Sequence, residues 1–257
     1  MPSILNLAAY RFVALTDLAA LRERLLAAAS ERALLGTVLL AAEGINLFLA
    51  GAPAAARGFV AELHGDARFA AMTVKESWSA APPFRRLQVK IKREIIRMNH
   101  PTAHPTAHPT AHPSAHPAKG RAPAVDAATL SRWLDAGRCD AGRELVLLDT
   151  RNGFEVDAGR FAGALDWRLG KFSDFPAALE AGRAALEGKT VVSYCTGGIR
   201  CEKAVLLLAE RGVAHALQLE GGILGYFAAV GPRHFEGECF VFDERRVVDA
   251  ALRPAST

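Results

Sequence analysis

From His100 to Pro117 the chain repeats a His-Pro-Thr/Ser-Ala unit. Proline at every fourth position removes backbone donors and pushes the residue before it towards extended or polyproline conformations. No packed core can run through such a stretch, so the chain must fold as separate bodies on either side of a semi-rigid spacer. The length of 257 residues leaves room for about two domains. The expected division is a first domain at 1–98, a linker at 99–121, a second domain at 122–235 and a C-terminal tail at 236–257. The five histidines of the repeat, His100, His104, His108, His112 and His116, do not suggest a metal site. A polyproline helix turns about every 3 residues, so a four-residue spacing winds the imidazoles around the axis.

The first half reads as a small α/β domain. Ile4 to Leu15 has strand character, and Asp17 is placed to cap a helix to about Ser30 with Leu18, Leu21, Leu25 and Leu26 inward. Gly36–Ala41 and Ile45–Ala50 are strands joined at Glu43-Gly44, Pro53 opens a helix to His64, and a last strand runs from Arg86 to Ile95. The order β-α-β-β-α-β is the split βαβ of ferredoxin-like folds.

In that last strand Leu87, Val89 and Ile91 alternate with Gln88, Lys90 and Lys92, which places the two lysines on one face. With Arg85, Arg86, Arg93 and Arg97 they form a compact basic strip. Such a strip is either a phosphate-backbone contact or a solvated sheet face. The net charge of +4 permits an anionic partner without requiring one.

After the repeat, strands and helices alternate. Ala127–Ala136 is helical, Leu145–Leu148 is a short buried strand ending in Asp149, and Lys189–Tyr194 is a strand followed at once by Cys195. A helix at Glu202–Arg211, a strand at Ala216–Leu219, the pair Gly221-Gly222 and a helix at Ile223–Val230 complete a doubly wound parallel sheet. Sites in such sheets lie beyond the carboxyl ends of the strands, where Cys195 falls. Gly197 and Gly198 let the backbone curl so that several N–H groups aim at one centre. The following helix adds its positive end and Arg200 a full cation, so the Cys195 pKa should fall below about 8.5. The same cradle, in a loop that also contains Thr196 and Ile199, would hold a terminal persulfide anion.

Cys195-Thr196-Gly197-Gly198-Ile199-Arg200 resembles the Cys-x-x-Gly-x-Arg active loop of rhodanese domains. Leu148-Asp149-Thr150-Arg151 with Glu155, then Gly159-Arg160-Phe161-Ala162-Gly163-Ala164, resemble that family's Asp-x-Arg and Gly-His-Ile-x-Gly-Ala signatures, with Arg160 and Phe161 departing from the second. Related cysteine phosphatases place one more residue between Cys and Arg; the shorter loop here suits sulfur better than phosphate. Asp149, Arg151 and Glu155 are expected to brace the loop.

A narrower resemblance covers nearly the whole chain. Gly36–Asn46, Lys90–Ile96, Cys195–Ala204 and Glu236–Arg245 look like the bacterial rhodanese-domain family of oxygen-dependent tRNA uridine hydroxylases. The His-Pro repeat replaces a shorter, mixed linker, and no Cys-rich tail precedes Thr257. The resemblance implies formation of 5-hydroxyuridine at the wobble position of the tRNA anticodon loop, molecular oxygen as cosubstrate, Cys195 and Arg200 as catalytic residues, and Arg86, Lys90, Lys92 and Arg93 as tRNA contacts. Phe84, Trp78 or Trp167 could stack on a splayed base or pack in the core.

The residues leave the chemistry open. No dinucleotide fingerprint and no His/carboxylate iron cluster is present. Cys195 could attack the pyrimidine ring, or a persulfide or sulfenic form could take part in oxygen chemistry. Cys201 could resolve an oxidised Cys195 or simply pack; Cys139 and Cys239 are expected to be structural, and His215 and His234 show no partner. A sulfurtransferase and a non-catalytic tRNA-binding module are the alternatives. Four scattered cysteines, no signal-like N-terminus and no apolar run near 20 residues suggest a reducing cytoplasm and no membrane.

Overall fold

The computed structural model describes residues 3–100 and 122–254. The repeat beyond His100 lies outside the described residues. Two compact units divide the chain. One runs up to Ile96 and takes in Phe242–Arg246; the other runs from Arg97 to Val241 and takes in Val247–Ala251.

The first unit follows the alternation of its apolar residues. Strand β1 (Ile4–Phe12) is followed by helix α1 (Leu18–Glu31), strands β2 (Leu35–Ala41) and β3 (Gly44–Gly51), helix α2 (Pro53–His64), and strands β4 (Val74–Ser79) and β5 (Leu87–Ile91). The sheet order is β4-β1-β3-β2-β5. Leu5, Leu7, Val38, Leu40, Ile45, Leu47 and Leu49 turn to one face at period two and are buried against Leu21 and Leu25 of α1 and Phe59 and Leu63 of α2. Each such side chain stabilises the fold by about 1.5–3 kcal/mol.

The ferredoxin-like topology stands, but its closing strand is not the expected one. Val74–Ser79 pairs antiparallel with β1 and completes the split βαβ. Leu87–Ile91 is an added fifth strand, parallel to β2 at the opposite edge. The sequence Val-Lys-Glu-Ser-Trp-Ser is polar because an edge strand is half solvated, so it carries little hydrophobic signal. The expected alternation also stops early: Val89 is buried, but Ile91 is 43% exposed because β5 ends there. Asp17 does not cap α1 through its side chain; its carboxylate pairs with Arg68 instead.

The second unit contains β6 (Ala124–Val125), α3 (Ala127–Ala136), β7 (Leu145–Asp149), α4 (Gly153–Ala158), β8 (Gly159–Phe161), β9 (Leu165–Asp166), α5 (Phe175–Gly182), β10 (Thr190–Tyr194), α6 (Ile199–Glu210), β11 (Ala216–Leu219), α7 (Gly222–Val230), β12 (Phe235–Gly237), β13 (Cys239–Phe240) and β14 (Val247–Val248). Its main sheet runs β6-β11-β10-β7-β9, with every pair parallel. The central strand β10 is buried throughout, as expected for a strand covered on both faces. Helix α6 begins three residues earlier than the apolar pattern indicated, at Ile199. Register sets Tyr194 opposite Asp149, so the carboxyl ends of β10 and β7 finish level and their loops meet.

Candidate active site

Cys195 is the first residue after β10 and is 1% exposed. The chain turns around its sulfur. The Gly198 N–H donates to Cys195 Sγ at 3.1 Å, with Gly198 at φ +101° immediately before α6. The carbonyls of the same loop point the other way, where the start of α7 holds them. Ile223 N–H donates to the Cys195 carbonyl at 3.0 Å and Leu224 N–H to the Thr196 carbonyl at 3.1 Å. This division lets the Gly198 N–H face the sulfur. It also explains the Gly221-Gly222 pair. Gly222 lies at φ +63°, and a Cβ there would sit 2.4 Å from the Cys195 carbonyl oxygen and 2.8 Å from the Gly198 nitrogen.

The expected bracing residues converge beneath this loop. Arg200 is 5% exposed, and its guanidinium is gripped by both oxygens of Glu155 at 2.6 and 2.7 Å. Arg151 is fully buried against Asp149, with Nη2 2.6 Å from Oδ2. It also donates to the carbonyls of Gly159 at 2.7 Å and Glu155 at 3.3 Å. Thr150 donates twice to the Tyr194 carbonyl, through its N–H and its hydroxyl. Two carboxylates and two guanidiniums thus join β7, α4 and α6 into one ionic frame. Such pairs are strongly destabilised by loss of one partner, by about 3–5 kcal/mol.

Electrostatics at the sulfur follow. Burial by itself pushes the Cys195 pKa up. The Cys201 thiol, the Arg200 charge and the N–H groups of Arg200 and Gly198 outweigh it and hold the pKa to about 5, well below an ordinary thiol. Burial and the neighbouring Cys195 sulfur push Cys201 well above the ordinary range. The two form an unequal pair, an anion and a donating thiol. Cys201 also lies 3.6 Å from Thr150 Oγ1. All four cysteines are free and buried. Cys139 accepts from the Thr190 hydroxyl, and burial pushes Cys239 up to about 12.

Contacts that sequence reasoning did not connect also appear. The Thr196 hydroxyl donates to the Phe240 carbonyl at 3.3 Å, which ties β13 to the active loop. Phe240 meets Phe154 edge to face at a centroid distance of 5.1 Å, and Phe154 is 51% exposed. No spacing rule links residues 154, 196 and 240. His234, expected to be unpartnered, lies between the Tyr226 hydroxyl and Asp135, 3.0 Å from each. Among the candidate stacking residues, Trp167 packs on Phe175, Trp78 is 37% exposed with the Arg57 guanidinium 6.0 Å from its ring centroid, and Phe84 is half-buried.

Of the basic strip, Arg85, Arg86, Lys90, Lys92 and Arg93 belong to the first unit. Arg86, Lys90, Lys92 and Arg93 are all exposed and have no carboxylate partner among the described residues. Arg85 pairs with Glu244 at 2.5 Å. The segment bearing Lys92 and Arg93 is anchored from below. Buried Glu43 accepts the Ile95 N–H at 2.7 Å, and buried Asn46 donates to the Ile95 carbonyl at 3.2 Å. The Glu43-Gly44-Ile45-Asn46 turn thereby presents the cations outward. Among the described residues no group of three or more His, Cys, Asp or Glu could hold a metal ion, and no helix is long and apolar enough to cross a membrane.

Comparison with known proteins matches both halves. Residues 4–95 match the UPF0176 acylphosphatase like domain and residues 126–229 the rhodanese-like domain. A tRNA uridine(34) hydroxylase of Variovorax paradoxus is 60% identical over 257 residues, covering 99% of this chain and 93% of the relative. One of Bordetella pertussis is 59% identical over 254 residues, covering 99% of both. Among solved structures, a rhodanese-like domain from Anabaena is 26% identical with a TM-score of 0.37, covering 45% of this chain and 79% of that one.

Proposed function

Because the chain belongs to the tRNA uridine(34) hydroxylase family, we propose that it hydroxylates the wobble uridine of tRNA to 5-hydroxyuridine, with molecular oxygen as cosubstrate and Cys195 as the reacting residue. The observation that carries this reading is the buried Cys195 thiolate in its cradle of N–H groups, Arg200 and Cys201, in a chain related over its full length to those enzymes. A thiolate is the nucleophilic form of cysteine. Its addition to C6 of uracil forms an S–C bond and moves the ring electrons towards C5 and the O4 carbonyl, which makes C5 reactive towards oxygen. One oxygen atom ends on C5 and the other leaves as water, with an external reductant supplying two electrons and two protons. Loss of the original C5 proton, with departure of the thiolate from C6, breaks the S–C bond and restores the C5=C6 double bond.

In this reading Arg200 keeps the sulfur ionised, while Asp149, Arg151 and Glu155 hold Arg200 and the loop in place. Arg86, Lys90, Lys92 and Arg93 contact the RNA backbone, where each neutralised phosphate releases counterions. The 1–98 and 122–235 segments then divide the work into RNA binding and chemistry, with 99–121 as spacer and 236–257 as the closing tail.

The cradle itself also suits a terminal persulfide, so a sulfurtransferase is the second reading. The deciding experiment measures tRNA nucleosides by mass spectrometry in cells lacking the protein, rescued by wild type or Cys195→Ala. Return of 5-hydroxyuridine with wild type alone, carrying the heavy isotope when purified enzyme is given labelled oxygen, is the expected result. Unchanged tRNA together with measurable sulfur transfer would replace hydroxylation by the second reading.

A further inference from the structure

Phe154 is a large apolar side chain left half in solvent beside the buried ionic frame. It lies in the first turn of helix α4, directly before Glu155, whose carboxylate clamps Arg200. Phe240 supports it edge to face, and the Phe240 carbonyl is held by Thr196, the residue after Cys195. The aromatic pair is therefore tied to the active loop from both flanks: through Glu155 and Arg200 at one end, through Thr196 at the other. The buried ionic frame has no need of an exposed phenyl ring, and 51% exposure forgoes much of the burial such a ring could gain. Enzymes that act on a nucleobase extrude it from its stack and hold it against aromatic or apolar side chains.

We propose that Phe154, braced by Phe240, is the stacking surface that receives the extruded uracil of the substrate RNA at the Cys195 loop. This rests on the tRNA-hydroxylase reading for its substrate. Its own observation is the exposed ring fixed to the loop. Phe154 then acts on the base, whereas the cations of the first unit act on the backbone, so loss of each has a different signature.

The test uses the full-length protein with Phe154→Ala, Phe154→Tyr and Phe154→Trp. The probes are an anticodon stem-loop with uridine at position 34 and the same RNA abasic there. Extra emission of Phe154→Trp over wild type, which reports the new indole above Trp78, Trp133 and Trp167, is expected to be quenched by the uridine loop and much less by the abasic one. Phe154→Ala is expected to lower kcat/KM by about 10- to 100-fold, the range of a lost base–aromatic stack. Affinity for whole tRNA should move by less than about 3-fold, since phosphate contacts dominate it, and Phe154→Tyr should restore turnover. Equal quenching by both RNAs, or none, overturns the stacking role whatever the enzyme makes. Selective quenching without any hydroxylated product leaves stacking in place and removes the hydroxylase reading instead.

Discussion

Replacing Cys201 by alanine removes the thiol that donates to the Cys195 sulfur and leaves the Gly198 N–H and the Arg200 charge in place. A hydrogen bond to a charged group contributes about 1.5–3 kcal/mol, and a thiol is a weak donor, so the low end applies. At about 1.4 kcal/mol per pKa unit, the Cys195 pKa should rise by about one unit, from about 5 to about 6. It should stay below the ordinary value of about 8.5 because the remaining cradle is intact. The assay is the pH dependence of Cys195 alkylation, with the ultraviolet absorbance of the thiolate as a measure independent of reagent access. Trypsin cuts after Lys189 and Arg200, so the peptide Thr190–Arg200 carries Cys195 without Cys201. The sign for stability follows from the same depression. The folded-state pKa lies below the unfolded one, so the thiolate stabilises the fold above about pH 8.5. That contribution declines as pH falls and is lost through about pH 5. The stability difference between wild type and Cys195→Ser should shrink over that window. A wild-type midpoint near 8.5, or midpoints of wild type and Cys201→Ala that coincide, refutes the reasoning that this donor and this cradle set the ionisation.

Three further outcomes follow from the geometry. Gly222→Ala places a Cβ 2.4 Å from the Cys195 carbonyl oxygen, so the loop must shift by up to about 1 Å; turnover should fall by about 100-fold, with a lowered melting temperature read by calorimetry. Glu155→Ala strands the Arg200 guanidinium in a buried site and should destabilise the protein by about 3–5 kcal/mol in urea unfolding; a change under about 1 kcal/mol would show that the ionic frame is not structural. Replacing Lys90, Lys92 and Arg93 together by glutamine should weaken tRNA binding evenly across sequences. It should also reduce the slope of log affinity against log salt by about 2–3, and an unchanged slope would remove the strip from the RNA interface.

Much of the Cys195 loop was legible in the sequence because it is local. A strand, a cysteine, two glycines, an arginine and a helix within a few residues dictate a curled loop with N–H groups turned inward, and only backbone geometry is needed to see it. The helices α1, α2, α3 and α7 and the strands β7, β10 and β11 were legible for a similar reason, since period and capping signals repeat within each element. Val74–Ser79 was not legible: its place in the sheet comes from pairing with β1, a partner some seventy residues away, and its own residues are polar. The same limit hid the grip of Glu155 on Arg200, the clamp of Glu43 and Asn46 on Ile95, the support of the loop carbonyls by α7, and the Phe154–Phe240 pair at the rim. Sequence by itself determined the Cys195 loop and the two-bodied architecture, because covalent order and backbone period carry those. Tertiary structure alone decided what charges, braces and borders Cys195, because those forces act through space between residues that the chain holds far apart.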